Sequence, residues 1–273
     1  AASTGAKFLM LSHMRGHIAD MEAVADICTR HGITMVEDCA HTMGARWKGI
    51  RSGNFGHVAA FSLQTYKHVN TGEGGLLTTN DPQIAARATV MSGSYMLYSS
   101  HGAGPDEAAF DGIRTAMPNY SGRMDNLRAA IARGQLAGLD EKVERWNSLY
   151  RALDGGLRKR NVLTMPVRRE YEHYVGSSLQ FRPALDVEQF PDFITACSSR
   201  GVDVKWFGAD KPAAFTSRYD SWEYLGEPQD LPQTREVLSR TCDIRVPLTF
   251  DEADCSTIAA IIVDECSRAT AGA

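Results

Sequence analysis

The chain has 273 residues, of which 43% are hydrophobic and 23% charged, as is ordinary for a globular protein. Its formal net charge of -4 gives no electrostatic basis for binding nucleic acid or an anionic membrane surface. We find no apolar run near the ~20 residues of a membrane-spanning helix and no signal-peptide pattern. The six cysteines are scattered without a CxxC pair, so we expect reduced thiols and a cytoplasmic protein.

The first half of the chain predicts a parallel sheet with helices between its strands. The predicted elements are, in chain order, a buried strand at 7–14, a helix at 20–32, a second strand at 33–38, two strands at 58–63 and 75–79, and a helix at 81–91. Strands alternating with helices over short connections are typical of a parallel sheet. Asp81 is the predicted N-cap of the last helix, with Pro82 at its first position.

The second half is mostly helical at first and then mixed. We predict helix over 124–160 with a kink or break at Gly134 or Gly138, because glycine weakens a helix by ~1 kcal/mol. The later predicted elements are strands at 177–183 and 202–207 with a helix at 187–201 between them, and a last amphipathic helix at about 251–268. This change of pattern predicts a large domain at 1–150 and a smaller α+β domain at 151–273.

His13 and His17 have the i, i+4 spacing that suits a metal ion on a helix. Gly16 and the strand-like run before them argue against a helix at this point. We therefore predict no metal site.

Lys67 stands between a strand and the glycine cluster Gly72–Gly75. Parallel sheets present their chemistry at the carboxyl ends of the strands. Asp38 ends one predicted strand and Ser62 lies near the end of another, so a carboxylate, a hydroxyl and an amine could meet at one edge. Pyridoxal 5'-phosphate (PLP) needs these groups, since an amine holds its aldehyde, a carboxylate faces its ring nitrogen and donors bind its phosphate.

These residue types alone leave other interpretations open. Lys67 could be a solvated loop lysine, and an aspartate at a strand end is often a helix cap. His41 could be a hydrogen-bonded core histidine. A GEGG sequence by itself is a weak phosphate signal.

The longer sequence pattern is more specific. Residues 36–81 resemble, nearly throughout, the core of the DegT/DnrJ/EryC1/StrS sugar aminotransferases. The shared patterns are E-D-x-A-[QH]-x-x-G, G-x-x-G-x-x-x-x-F-S and K-x-x-x-x-G-E-G-G, which begin here at Glu37, Gly53 and Lys67. Residues 11–38, 118–136 and 231–248 also look like segments of that family.

The resemblance implies an α/β fold of the PLP-dependent transferase fold type I. Such a fold has a mainly parallel sheet flanked by helices and a smaller C-terminal α+β domain. It implies an aminotransferase that uses PLP, with glutamate or glutamine as the amino donor. The acceptor would be a keto sugar, usually nucleotide-linked, or a keto-cyclitol. A homodimer with shared active sites is expected, and a non-catalytic partner or regulatory subunit is the alternative.

The resemblance also implies a role for each matching residue. Lys67 would be the Schiff-base lysine and Asp38 the partner of the ring nitrogen, while His41 would contact the ring or its hydroxyl and Ser62 the phosphate. Asn119 or Arg123 would reach the phosphate of a neighbouring subunit. Ser121 is an alternative, because "NYSGRM" has two residues more than the usual "NYRM".

Two parts of the chain depart from the family pattern. Members are longer at the N-terminal side, so we expect part of the large domain, including some phosphate donors, to be missing here. Residues 94–112, which include His101, match no family pattern and are expected in the substrate pocket or the subunit interface.

Overall fold

The computed structural model describes residues 5–93, 102–211, 220, 224, 226–227 and 229–271. The chain forms two compact units, Ala1–Val143 with Glu170–Val175, and Glu144–Arg169 with Gly176–Ala273. The division into domains 1–150 and 151–273 stays a prediction. Among the described helices, none combines the length and apolar character needed to cross a membrane.

The strands and helices of the first unit include β1 (Phe8–Ser12), α1 (Met21–Arg30), β2 (Thr34–Asp38), β5 (Val58–Ser62), β6 (Gly75–Thr78), α2 (Pro82–Ser92) and α3 (Asn126–Ala137). Four of the strands form one sheet in the order β1-β2-β5-β6. β1, β2 and β5 run parallel and β6 is antiparallel to β5. The predicted mainly parallel sheet with flanking helices is therefore confirmed.

A second, three-stranded sheet in this unit was not predicted. It contains β3 (Arg46–Trp47), β4 (Ile50–Arg51) and β8 (Glu172–His173) in the order β4-β3-β8. Trp47 is buried in it and meets Tyr171 edge to face, with ring centroids 4.7 Å apart. Strands of two residues carry too little alternation to be recognised from sequence.

Local capping explains where the helices begin. The Asp20 side chain accepts a hydrogen bond from Ala23 N at the start of α1, and that of Asp81 accepts from Gln83 N and Ile84 N at the start of α2. These bonds satisfy N–H groups that have no partner within the helix. Both caps use chain neighbours, and the predicted cap at Asp81 with Pro82 in the first turn is confirmed.

The prediction that the strand at 7–14 is buried is wrong. β1 is present, but Phe8 is 73% exposed and Met10 65%. β1 is an outer strand of the described sheet and pairs there with β2 alone. An apolar run predicts a strand well, whereas burial depends on which elements cover it.

The long helical stretch divides at one of the two predicted glycines. α3 ends at Ala137 with Gly138 as its C-cap, and α4 (Leu139–Leu157) follows directly. Gly134 remains inside α3, on its exposed side. The break at Gly138 is confirmed and a break at Gly134 is not observed.

The second unit has the α+β character that the sequence predicts. Its elements are β7 (Leu163–Thr164), β9 (Ser178–Pro183), α5 (Phe190–Ser199), β10 (Lys205–Trp206), α6 (Pro232–Ser239), β11 (Cys242–Arg245) and α7 (Glu252–Ala271). The strands form a sheet in the order β10-β11-β9-β7 with antiparallel pairing throughout. Trp206 stacks on Phe190 at a centroid distance of 5.2 Å, so this tryptophan packs within its own unit.

Candidate active site

Three parallel strands end together at one edge of the main sheet. Ser12 is the last residue of β1, Asp38 of β2 and Ser62 of β5. Ser12 and Asp38 are register partners, and Asp38 pairs with Ala60, two residues before Ser62. The structure therefore brings the predicted Asp38 and Ser62 to the same sheet edge, where parallel α/β sheets bind ligands.

The Asp38 carboxylate is held at both oxygens. Its Oδ2 accepts a hydrogen bond from Ser12 Oγ at 2.9 Å, and its Oδ1 accepts one from Ala40 N at 3.0 Å. A carboxylate offers about four acceptor positions, so each oxygen keeps capacity for a further donor. Asp38 is half-buried. It is thus an oriented acceptor that can still bind a protonated ring nitrogen.

Glu37, the neighbouring carboxylate, has a different role. It is fully buried, since successive side chains of a strand face opposite sides. Oε2 is bonded to His13 Nε2 at 3.1 Å and accepts from Gly53 N at 2.9 Å. Oε1 accepts from Phe55 N at 2.7 Å and from Gly56 N at 2.6 Å. Burial acts to raise the pKa of Glu37, but the bonds from His13 and the backbone outweigh it, and the pKa is lowered.

The Glu37 contacts explain the G-x-x-G pattern at residues 53–56. A Cβ added at Gly56 would lie 2.7 Å from the Met35 carbonyl oxygen. One added at Gly53, where φ is +87°, would lie 2.6 Å from the Phe61 ring. Only glycine lets this loop come close enough for its N–H groups to reach Glu37.

His13, Glu37 and Cys39 form a buried group whose ligand atoms lie within 4.8 Å of one another, a spacing that suits a metal ion. The Glu37 oxygens already accept four hydrogen bonds, which fill their acceptor positions. Burial raises the pKa of the Cys39 thiol to about 12, so the thiol keeps its proton in the metal-free protein. This group is better explained as a structural network than as a metal site.

The loop that carries Lys67 is fixed at both ends. Leu63 N donates to Gly74 O, and Thr71 N donates back to Leu63 O, both at 2.9 Å. Lys67, half-buried, lies in the turn between them, where its N–H donates to Gln64 O. The loop thus begins directly after Ser62, whose Oγ accepts from Gln64 N at 3.3 Å.

Helix α3 holds the same loop from outside. Gln135 Oε1 accepts from Asn70 N at 3.0 Å, and its Nε2 donates to Asn70 O at 2.6 Å. Gln135 lies in the segment 118–136 that resembles the family, and no role for it was predicted. Its two hydrogen bonds to the backbone of Asn70, three residues after Lys67, hold the loop against α3.

His41 is oriented by the backbone. Its Nδ1 accepts a hydrogen bond from Arg15 N at 3.1 Å, so the neutral ring carries its proton on Nε2. Arg15 has φ of +56°, which is uncommon for a residue other than glycine. The turn after β1 therefore accepts local strain while it fixes the ring of His41.

Asn119, Ser121 and Arg123 gather around Gly93, the C-cap of α2. Arg123 Nη1 donates to Gly93 O at 2.6 Å, and Asn119 Oδ1 accepts from Ser121 N at 2.8 Å. Gly93 has φ of +104°, and a Cβ there would lie 2.8 Å from Asn119 Oδ1. Contact of these residues with a neighbouring subunit stays a prediction. Residues 94–101 of the expected pocket segment, with His101, lie outside the described residues.

A groove of about 370 Å³ lies elsewhere in the first unit. Phe61, Leu76 and Leu136 contribute apolar walls, and Arg51 and Asp140 stand at its side. The Arg51 guanidinium donates to both Asp140 oxygens, at 3.0 and 2.8 Å. The residues that line it include none of the predicted site residues, so the groove and the sheet edge are separate features.

Comparison with known proteins agrees with this architecture. The model of the DegT/DnrJ/EryC1/StrS aminotransferase family matches residues 2–263, and the chain belongs to this family. Among solved structures, the aminotransferase TlmJ from Streptoalloteichus hindustanus superimposes with a TM-score of 0.79 at 21% identity, over 97% of this chain and 67% of that one. This likeness confirms the predicted fold class.

Two curated relatives show the similarity in sequence. GDP-perosamine synthase of Caulobacter vibrioides is 35% identical over 137 residues, which are 50% of this chain and 34% of that protein. L-glutamine:2-deoxy-scyllo-inosose aminotransferase of Micromonospora echinospora is 35% identical over 153 residues, 55% of this chain and 35% of that protein. The chain thus matches about a third of the length of these relatives.

Proposed function

We propose that the protein is a PLP-dependent aminotransferase. It would transfer an amino group from glutamate or glutamine to a keto sugar, nucleotide-linked in most members, or to a keto-cyclitol. The observation that carries the proposal is the Asp38 carboxylate, oriented at the carboxyl edge of a parallel sheet directly beside the strand that leads into the Lys67 loop. Family membership over residues 2–263 supports the same reaction class.

The relatives support the proposed substrates. One is named GDP-perosamine synthase, and the other is named for L-glutamine and 2-deoxy-scyllo-inosose. A sugar and a cyclitol both offer a ring carbon that bears oxygen, and both surround it with hydroxyl groups. We propose this shared chemistry as the acceptor class for the present chain.

The residues at the sheet edge fit PLP in kind. The group supplies an aldehyde that bonds to an amine and a protonated ring that withdraws electrons from the reacting carbon. In this chain Lys67 is the proposed amine, and Asp38 offers an acceptor to the ring nitrogen. His41, a neutral imidazole with its proton on Nε2, would donate to the hydroxyl of the cofactor ring. Ser62 and the N–H groups after Gly72 are donors for phosphate.

Lys67 and Asp38 are the proposed catalytic residues. With PLP bound, the Lys67 amine would hold the cofactor, and it would accept and return a proton at the reacting carbon of the substrate. Asp38 would keep the ring nitrogen protonated, because a carboxylate beside a ring nitrogen favours its charged form. The two hydrogen bonds from Gln135 to the backbone of Asn70 would keep the Lys67 loop in place while Lys67 binds the cofactor and transfers the proton.

Peptide mapping tests the assignment directly. The protein is incubated with PLP, reduced with borohydride and digested, and we expect the pyridoxyl mass on residue 67. Lys67→Ala is the matched control and should remain unlabelled there. Label confined to other lysines would refute the assignment. A protein that is labelled at Lys67 yet accepts no amino group from glutamate or glutamine would instead be the non-catalytic family member.

We further propose a homodimer in which Asn119 or Arg123 contributes to the partner's phosphate site. The segment 118–136 that resembles the family's cross-subunit element supports this. Mixed dimers of Lys67→Ala and Arg123→Ala subunits should regain activity, because one of two sites then combines both intact contributions. An active monomer in sedimentation experiments would contradict the shared site.

A further inference from the structure

Ser12 and Asp38 come together through strand register and not through chain proximity. They are separated by 26 residues, yet they are the last residues of β1 and β2 and face each other in the parallel ladder. Paired residues of neighbouring strands project to the same side of a sheet. The Ser12 hydroxyl therefore lies beside the carboxylate, and its Oγ donates to Asp38 Oδ2 at 2.9 Å.

The bond from Ser12 completes the orientation of the carboxylate. Ala40 N holds Oδ1 at 3.0 Å and lies on the same chain segment as Asp38, whereas Ser12 holds Oδ2 from the neighbouring strand. A single donor leaves an aspartate free to turn about its last side-chain bond, and that rotation is broad and soft. Two donors on different oxygens define the plane of the group. The acceptor positions that remain then point in fixed directions.

The backbone beside this pair provides a stable base. His13 N donates to Asp38 O at 3.1 Å, so the main chain continues the pairing of β1 and β2 by one residue. This bond does not involve the Ser12 side chain. Removing the hydroxyl should therefore leave the strand pairing intact and release only the carboxylate.

We infer that Ser12 is a positioning residue that fixes the Asp38 carboxylate for its contact with the ring nitrogen of the cofactor. The inference rests on the proposed function. Hydrogen bonds to a carboxylate favour its charged form and its geometry together. Ser12 thus acts on the cofactor through Asp38. Loss of the Ser12 hydroxyl weakens the alignment of the Asp38 carboxylate with the ring nitrogen.

The test compares Ser12→Ala, which removes the donor, with Ser12→Thr, which keeps it. Ser12 is exposed at a strand end, so both side chains fit without repacking. Ser199→Ala is the matched control, because Ser199 is an exposed serine of the second unit whose hydroxyl bonds to its own helix at Ala196 O. Crystal structures of the cofactor-free proteins show the orientation of Asp38 whether or not the protein transfers amino groups.

We expect Asp38 in one orientation in the wild type, Ser12→Thr and Ser199→Ala, and turned or split between orientations in Ser12→Ala. With PLP carrying a ¹⁵N label in its ring, the ring-nitrogen chemical shift should move toward the unprotonated value in Ser12→Ala alone. The kcat of that variant should fall roughly tenfold with the KM of the amino donor within about twofold, because positioning affects the reacting geometry more than binding.

An unchanged Asp38 orientation in cofactor-free Ser12→Ala would overturn the inference, and so would a wild-type ring-nitrogen shift in that variant. If wild-type protein does not take up PLP at Lys67, the proposed function fails. The orientation of Asp38 in the cofactor-free structures then still decides whether Ser12 positions it.

Discussion

Glu37 and Asp38 are neighbours in the chain but belong to two different regions of the molecule. Glu37 lies in the buried region behind β2, where it accepts four hydrogen bonds, three of them from the loop at residues 53–56. Asp38 lies at the sheet edge and accepts two. Because consecutive side chains of a strand face opposite sides, the Glu37 carboxylate stabilises the fold, whereas the Asp38 carboxylate is available to a ligand.

The largest expected effect is the loss of stability when the buried Glu37 is substituted. Glu37→Gln replaces an acceptor oxygen by an amide that opposes backbone N–H groups, so the variant should lose about 3–5 kcal/mol of unfolding free energy. Urea denaturation measures this loss. Glu236→Gln, at an exposed position of α6, is the control and should unfold like the wild type. Equal stability of the two variants would show that the Glu37 network does not support the fold.

Asp38→Asn tests the other side of the comparison. The amide keeps the shape of the side chain but cannot hold the ring charged, so transamination should fall on the order of 10²-fold or more. Its unfolding free energy should stay within about 1 kcal/mol of the wild type, because the position is only half-buried. Stopped-flow absorbance of the bound cofactor with glutamate or glutamine follows the half-reaction. Transamination near the wild-type rate would remove Asp38 from the mechanism.

A pair of glycine substitutions sharpens the structural role of the 53–56 loop. Gly56→Ala should destabilise by about 1–3 kcal/mol, since its Cβ would lie 2.7 Å from a backbone oxygen beneath the loop. Gly134→Ala should stabilise by roughly 0.5–1 kcal/mol, because that glycine is exposed within α3 and its Cβ would meet nothing within 4 Å. Thermal unfolding measures the Tm of each variant against the wild type. Tm shifts of the same sign in the two variants would contradict the proposed role of Gly56 in the loop.

The smallest effect is the pH dependence of stability. The pKa of Glu37 is lowered in the folded protein, so its contribution is fully present above the ordinary glutamate value of 4.5 and is lost as the pH falls through the lower folded pKa. Denaturation midpoints between pH 6 and ~3 should therefore decline more steeply in the wild type than in Glu37→Gln. Parallel curves for the two proteins would show that Glu37 does not titrate with folding.

Sequence was sufficient where the physical cause is local. The cap at Asp81 and the helix end at Gly138 depend on neighbouring residues, and the spacing of the Gly53 and Lys67 patterns is visible in the chain. Ser12 was missed because its bond to Asp38 depends on the register of two strands. A polar residue at the end of an apolar strand is the one signal that could have pointed to it. The exposure of β1 could not be foreseen, because burial depends on the neighbours of a strand.

The exposed outer strand also bears on how a preparation of these 273 residues behaves in a test tube. β1 presents Phe8 and Met10 to solvent along the edge of the described sheet, and such apolar edges invite strand-to-strand aggregation. Contacts of that kind need not close and can grow with concentration, unlike a two-fold dimer. Oligomers seen at high concentration should therefore be compared with those of Met10→Lys, whose charge discourages edge pairing, before any of them is assigned to the shared active site.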